Sequence, residues 1–327
     1  MSDINMQSID EQIKTCLKIY YQFDKVELSH EKSGMNNITR LVTLGNSKYN
    51  LRVYCNHKDI EKVKFEHLIL QTLAKQSMSI KIPIPVKTVY NTTIASLEDG
   101  SLVSLYHYIE GTQKASHTLY KSLIEATAHV ANALATIQLN EKPAYSPYYD
   151  LYTNYPQFDE HQLSRYFEQS KKLNSIKEKL IHLLDVRAAL EKQIDIFKQL
   201  PHSLIHGDIN FSNSVAVKDN IIGILDFEFI TYDLRAMELA VVLIEYFKPN
   251  KPFNKDELVQ LIECYCSICP LNNDEIQLLP QLIKLRAIDV AFHFLTRFTE
   301  GQDDEDVLFN IINDSFYAVQ IIEDKWK

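Results

Sequence analysis

Asp208 is followed five residues later by Asn213, and a short β-prone stretch separates both from Asp226. These three side chains carry the oxygens that phosphoryl transfer from a nucleoside triphosphate requires. One carboxylate orients the attacking hydroxyl and accepts its proton. An amide oxygen and a second carboxylate hold the Mg²⁺ ions that bridge the phosphates. Hard oxygen donors of this kind suit Mg²⁺ rather than zinc. The blander alternative makes Asp208 and Asn213 loop caps and Asp226 a turn residue at a strand end. His206, just upstream, is read as a structural histidine that buttresses the loop.

The stretch His206-Gly207-Asp208-Ile209-Asn210-Phe211-Ser212-Asn213 has the Asp-to-Asn spacing of the protein-kinase catalytic loop, and Asp226-Phe227-Glu228 follows where Asp-Phe-Gly would stand. On these residues the chain resembles the aminoglycoside phosphotransferase and choline kinase family, whose loop reads H-G-D-x-x-x-x-N. The resemblance implies an α+β, protein-kinase-like bilobal fold. A small antiparallel-sheet lobe with one main helix (1–106) would bind nucleotide, and a larger, mostly helical lobe (107–327) would carry catalysis and the acceptor, with a crevice between them. It also implies ATP and Mg²⁺ as cofactors, Asp208 as the catalytic carboxylate, and Asn213 and Asp226 as metal ligands.

Further positions follow from the same resemblance. Arg52, in Asn50-Leu51-Arg52-Val53-Tyr54, is the cation expected on the phosphates. Glu66 is its expected helix partner, with Glu61 as the rival. Arginine in place of lysine keeps its charge when buried and can bind phosphate bidentately. Ser33, Gly34 and Asn36 stand where a phosphate-covering turn belongs. Tyr106 and Tyr108 fall in the expected hinge, where backbone groups would meet adenine. Glu228 replaces the glycine of Asp-Phe-Gly, which predicts a constitutively formed site, and Glu238 occupies a downstream position the family gives to Asp.

The acceptor is less legible. Residues 202–245 and the Leu-Arg-Val-Tyr strand resemble the homoserine-kinase-like (type II) branch most, which implies a small amino alcohol. An amino-acid acceptor would need a cation for its carboxylate. Arg286, His293 and Arg297, spaced along one helix face, are candidates, against a reading as ordinary helix surface. A cationic acceptor such as choline or an aminoglycoside would instead use acids and aromatics, for which Tyr145–Tyr155, Glu228, Asp233 and Glu245 are available. A non-catalytic nucleotide-binding protein of the same fold is the rival from another class.

The elements that must position these residues can be read coarsely. Ser8-Ile9-Asp10-Glu11 reads as a capping box opening a helix over 7–20, and residues 24–54 alternate short strands with turns. A helix is expected over 58–75, strands at Val86–Tyr90 and Leu102–Tyr106, and a helix at Leu119–Leu139. One or two more helices should fill 159–199. A hairpin is expected from Ser214–Val217 and Ile221–Leu225, with later helices starting behind Asp233, Asn254 and Asn272.

The chain's 327 residues give a formal net charge of −9, which argues against nucleic acid or an anionic membrane as partner. No apolar run approaches the roughly 20 residues of a membrane span, and the acidic start does not resemble a signal peptide. Five cysteines fit a reducing compartment, so a cytoplasmic monomer or homodimer is expected. Cys264, Cys266 and Cys269 read as packed free thiols rather than a metal site.

Overall fold

The computed structural model describes residues 3–30, 37–55, 59–139, 143, 145–155, 160–168, 170–249 and 252–326. Ser33, Gly34 and Asn36 lie outside them. The fold is bilobal α+β, with two compact units: residues 1–112 with 223–228, and residues 113–222 with 229–327.

The first unit is built on a five-stranded antiparallel sheet in the order β1-β2-β3-β5-β4. Its strands are β1 (Glu27–His30), β2 (Asn37–Leu44), β3 (Ser47–Tyr54), β4 (Ala95–Ser96) and β5 (Leu102–His107). Alternation along β3 decides what each face does, since successive side chains point to opposite sides. Leu51 and Val53 face helix α1 (Asp3–Tyr21) and form a core with its Ile13, Cys16 and Leu17. Arg52 and Tyr54 face the other way, and Tyr54 packs with Val63 of helix α2 (Ile60–Leu73). Asp59 caps α2 by accepting from the Glu61 N–H.

Two expectations here need correcting. Helix α1 begins at Asp3, so Ser8–Glu11 lies inside it rather than at its start, and Asp10 pairs with Arg40 at 2.8 Å. Val86–Tyr90 is not a strand. Pro83 and Pro85 lack the N–H a ladder needs, Val86 donates once to Leu105, and Thr88 folds back onto Thr92. The edge of the sheet is supplied instead by β4, which pairs with β5 at Ala95–Val103.

The second unit is mostly helical. Helix α3 (Tyr120–Leu134) is followed by the single turn α4 (Leu151–Asn154) and by α5 (Glu160–Phe167), α6 (Lys171–Asn174), α7 (Lys177–Glu191) and α8 (Ile194–Phe197). The stretch expected to hold one or two helices thus holds four. Strand β6 (His202–Ile205) pairs antiparallel with β9 (Thr231–Leu234), and between them β7 (Ser214–Val217) and β8 (Asn220–Ile224) form the expected hairpin.

Helices α9 (Met237–Leu243), α10 (Lys255–Ile268), α11 (Asn273–Thr299) and α12 (Glu305–Lys325) complete the unit. Asn254 caps α10, and Asn272 with Glu275 forms a full capping box on α11. Asp233 is not a helix cap. It lies in β9, fully buried, and accepts from the backbone N–H of Tyr148 and of Leu234. Helix α11 packs against α7, α9 and α12 at the centre of the helical packing. Among the described residues, no helix is long and apolar enough to cross a membrane.

Candidate active site

In the first unit the candidate residues gather around Arg52. Its Nη1 lies 3.0 Å from Asp226 Oδ1, 3.8 Å from Glu66 Oε1 and 3.8 Å from Glu228 Oε2. Glu61, the rival partner, pairs instead with Lys64 on the surface. Asp226 reaches this cluster because residues 223–228 join the first unit. Lys81 forms a bridge with Gly223, and the Ile224 N–H donates to the Lys81 carbonyl at 3.0 Å. A Cβ at Gly223 would come within 3.1 Å of the Ile109 side chain, which would have to shift slightly to admit it.

Burial sets the electrostatics. Glu66 is 2 % exposed, and burial pushes its carboxyl up to about 7 while Arg52 pulls the other way. Burial also works against the Arg52 charge, but Asp226 and Glu66 hold it on. Around them runs a polar chain: Tyr54 and Tyr106 share a hydroxyl hydrogen bond at 2.8 Å, and Tyr54 also donates to Glu66. His67 Nε2 meets the Tyr106 hydroxyl at 2.9 Å, and burial drives His67 down to about 3, so it is neutral at pH 7.

Tyr106 therefore places its side chain in the Arg52–Glu66 network while its backbone belongs to β5. Tyr108 is half-buried, and its N–H donates to the Lys48 carbonyl at 3.3 Å. Glu228, in the position of the expected glycine, accepts from Asn37 Nδ2 at 3.0 Å.

Asp226 itself has φ +64°, a left-handed conformation that non-glycine residues seldom adopt. Aspartate tolerates it better than most, and such strain concentrates at functional positions. Among the described residues, the buried Asp226 Oδ1 has no partner in hydrogen-bond geometry, although the Arg52 guanidinium lies 3.0 Å away. A buried hard anionic oxygen with lone pairs to spare fits a Mg²⁺ ligand. Among the described residues no group of three or more His, Cys, Asp or Glu is placed to hold a metal.

In the second unit the loop 206–213 is held by its own short-range geometry. Gly207 has φ +79°, and a Cβ there would meet the Phe229 carbonyl at 3.2 Å. Glu238 is fully buried and accepts from the backbone N–H of His206 at 2.5 Å and of Gly207 at 3.3 Å. Burial pushes Glu238 up to about 7, opposed by these two hydrogen bonds. His206 is fully buried, and its Nδ1 accepts from the Asp208 N–H at 3.2 Å, a buttressing contact.

Asn213 Nδ2 donates to both Asp208 Oδ2 and the Asp208 carbonyl at 2.9 Å. This orientation turns the amide oxygen of Asn213 away from Asp208, as a cation ligand requires. The other carboxylate oxygen of Asp208 meets Arg286 of α11 at 2.5 Å.

Of the residues proposed to take an acceptor carboxylate, Arg286 is engaged by Asp208 and Asp289, and Arg297 by Asp303 at 2.6 Å. Neither is a solvated surface arginine. His293 is half-buried beside Phe294. The contact between Arg286 and Asp208 escaped the sequence, as did the role of Tyr148, whose hydroxyl donates to the Gly207 carbonyl. No local spacing signals either one. The five cysteines are free, and Cys269 is buried.

A small sheet with a buried Arg–Glu pair, and a second unit whose loop sets a carboxylate beside an amide, together define a kinase-like phosphotransferase scaffold. Residues 31–261 match the phosphotransferase enzyme family, and the chain belongs to it. It is similar to the homoserine kinase of Chelativorans sp., 25% identical over 286 residues that cover 86% of this chain and 83% of that protein. A match to the homoserine kinase of Methylocella silvestris is 32% identical over 104 residues, only about a third (32%) of either protein. The fold is also similar to that of the amicoumacin kinase hAmiN, solved with AMP-PNP and Ca²⁺. There the TM-score is 0.67 at 14% identity, over 95% of both chains.

Proposed function

We propose that this protein is an ATP- and Mg²⁺-dependent kinase that phosphorylates the hydroxyl of a small amino alcohol, with homoserine as the leading candidate. The observation that carries the reading is the Asp208–Asn213 pair, with Asn213 Nδ2 at 2.9 Å from Asp208 Oδ2. One amide thereby steadies the base and keeps its own oxygen for a metal. Asp208 orients the acceptor hydroxyl and takes its proton as the oxygen–phosphorus bond forms and the γ-phosphorus–oxygen bond to ADP breaks, ADP leaving with the bridging oxygen. Arg52, held by Glu66, binds the phosphates of the nucleotide and offsets their charge. Asn213 and Asp226 would hold Mg²⁺, which would supply positive charge against that developing on the transferred phosphoryl group.

The amino-alcohol class is supported by similarity to homoserine kinases over most of the chain. Charge supports it as well. Among the described residues, Arg286 is the cation paired with both Asp208 and Asp289, and two carboxylates against one guanidinium are an acid excess that favours an ammonium group on the acceptor. The same excess favours choline or an aminoglycoside as the second reading.

The test is an ADP-release assay with MgATP against L-homoserine, simple amino alcohols, choline and aminoglycosides, with the product identified by mass spectrometry. Phosphorylated amino alcohol is the expected result. Product from choline or an aminoglycoside alone would move the acceptor to the second class. Nucleotide binding without any product would reject the kinase reading.

A further inference from the structure

Asp208 is gripped from two sides, by Asn213 on Oδ2 and by Arg286 Nη2 on Oδ1. Arg286 is itself fixed in place. Its Nη1 donates to the Tyr148 hydroxyl at 2.8 Å and to Asp289 Oδ2 at 3.2 Å, and Tyr148 donates onward to the Gly207 carbonyl. The guanidinium is therefore tied to its own helix through Asp289 and to the backbone next to the base through Tyr148.

Two features separate this arrangement from an ordinary structural ion pair. Among the described residues, the buried Arg286 Nε has no hydrogen-bond partner, so the guanidinium forgoes a bond on the edge that best takes a carboxylate. Native proteins seldom leave a buried donor unsatisfied, and such groups gather where function dictates placement. The second feature is charge: one guanidinium already faces two carboxylates, Asp208 and Asp289, so its charge is committed within this cluster.

We propose that Arg286 is a positioning residue for phosphoryl transfer: with Asn213 it fixes the Asp208 carboxylate so that its remaining lone pairs face the acceptor hydroxyl. The proposal rests on the kinase reading above. A misplacement of about 1 Å in a reacting group can cost on the order of 10²-fold in rate, so the loss of Arg286 falls on turnover. Lysine keeps the charge but offers no planar fork to reach Asp208, Tyr148 and Asp289 together.

The experiment compares wild type, Arg286→Lys and Arg286→Ala with MgATP and the best acceptor, with folding followed by circular dichroism. Arg286→Lys is expected to lower kcat roughly 10- to 100-fold, with KM for ATP and for acceptor within about threefold of wild type. Arg286→Ala should fall further and regain part of its kcat when methylguanidinium is added, a rescue that a purely structural arginine would not give.

Wild-type kcat in Arg286→Lys, or a raised acceptor KM at unchanged kcat, overturns the proposal. So does a folded Arg286→Ala that methylguanidinium leaves unimproved. Should Arg286→Ala fail to fold, the split between kcat and KM in Arg286→Lys decides. A wild-type protein that phosphorylates no acceptor brings down the kinase reading and this proposal with it, an outcome distinct from active wild type with indifferent variants.

Discussion

Arg52 Nη1 stands 3.0 Å from Asp226 Oδ1, closer than it stands to Glu66 or Glu228. One guanidinium thus faces three carboxylates, and burial leaves it little water to soften the imbalance. The surplus of negative charge sits where Mg²⁺ would add positive charge.

Arg52 is therefore expected to act on nucleotide affinity. Hydrogen bonds to charged groups contribute about 1.5–3 kcal/mol, so Arg52→Lys should raise KM for MgATP roughly 10- to 100-fold. The acceptor KM should move less than threefold. Initial-rate kinetics in both substrates separates the two, and an unchanged KM for ATP would remove Arg52 from the phosphates.

Asp208→Asn should lower kcat by about 10²- to 10⁴-fold, the usual contribution of a general base. Binding of MgAMP-PNP, measured by calorimetry, should stay within threefold because Arg52, Asp226 and Asn213 remain. Full turnover in this variant would rule out the assigned role.

Glu66, Asp233 and Glu238 are each pushed up to about 7 by burial. Carboxyls raised in the folded state bind protons that the unfolded chain has already released. Stability from these groups is therefore fully present below about pH 4, declines as pH rises to about 7, and levels off above. Each group contributes a slope of at most about 1.4 kcal/mol per pH unit. Thermal unfolding followed from pH 5 to 8 should show Tm falling across that window, and Glu238→Gln should flatten the slope. A Tm that climbs from pH 5 to 7 would contradict this balance.

The geometry of the loop at 206–213 was legible because its information is local. Gly207, Asp208 and Asn213 lie within one turn of chain, and the loop geometry needs only that spacing. Helix caps at Asn254 and Asn272 were legible for the same reason. Long-range partners were not. Arg286 lies 78 residues beyond Asp208, and its spacing with His293 and Arg297 describes a helix face without saying what that face meets.

Local propensity also misled where tertiary demands won. Val86–Tyr90 has strand-like residues, but two prolines and the Thr88–Thr92 turn spend its hydrogen bonds elsewhere. Asp233 has the chemistry of a cap, yet it pins Tyr148 from inside a strand.

The left-handed backbone at Asp226 has an implication for engineering. Asparagine tolerates that conformation at least as well and would remove one of the three negative charges crowding Arg52. Asp226→Asn should melt a few degrees higher (about 2–4 °C for each kcal/mol relieved) while losing activity. Directed evolution scored on heat resistance alone would then drift toward inert protein at this codon. A useful thermostable version has to be selected for turnover in the same round.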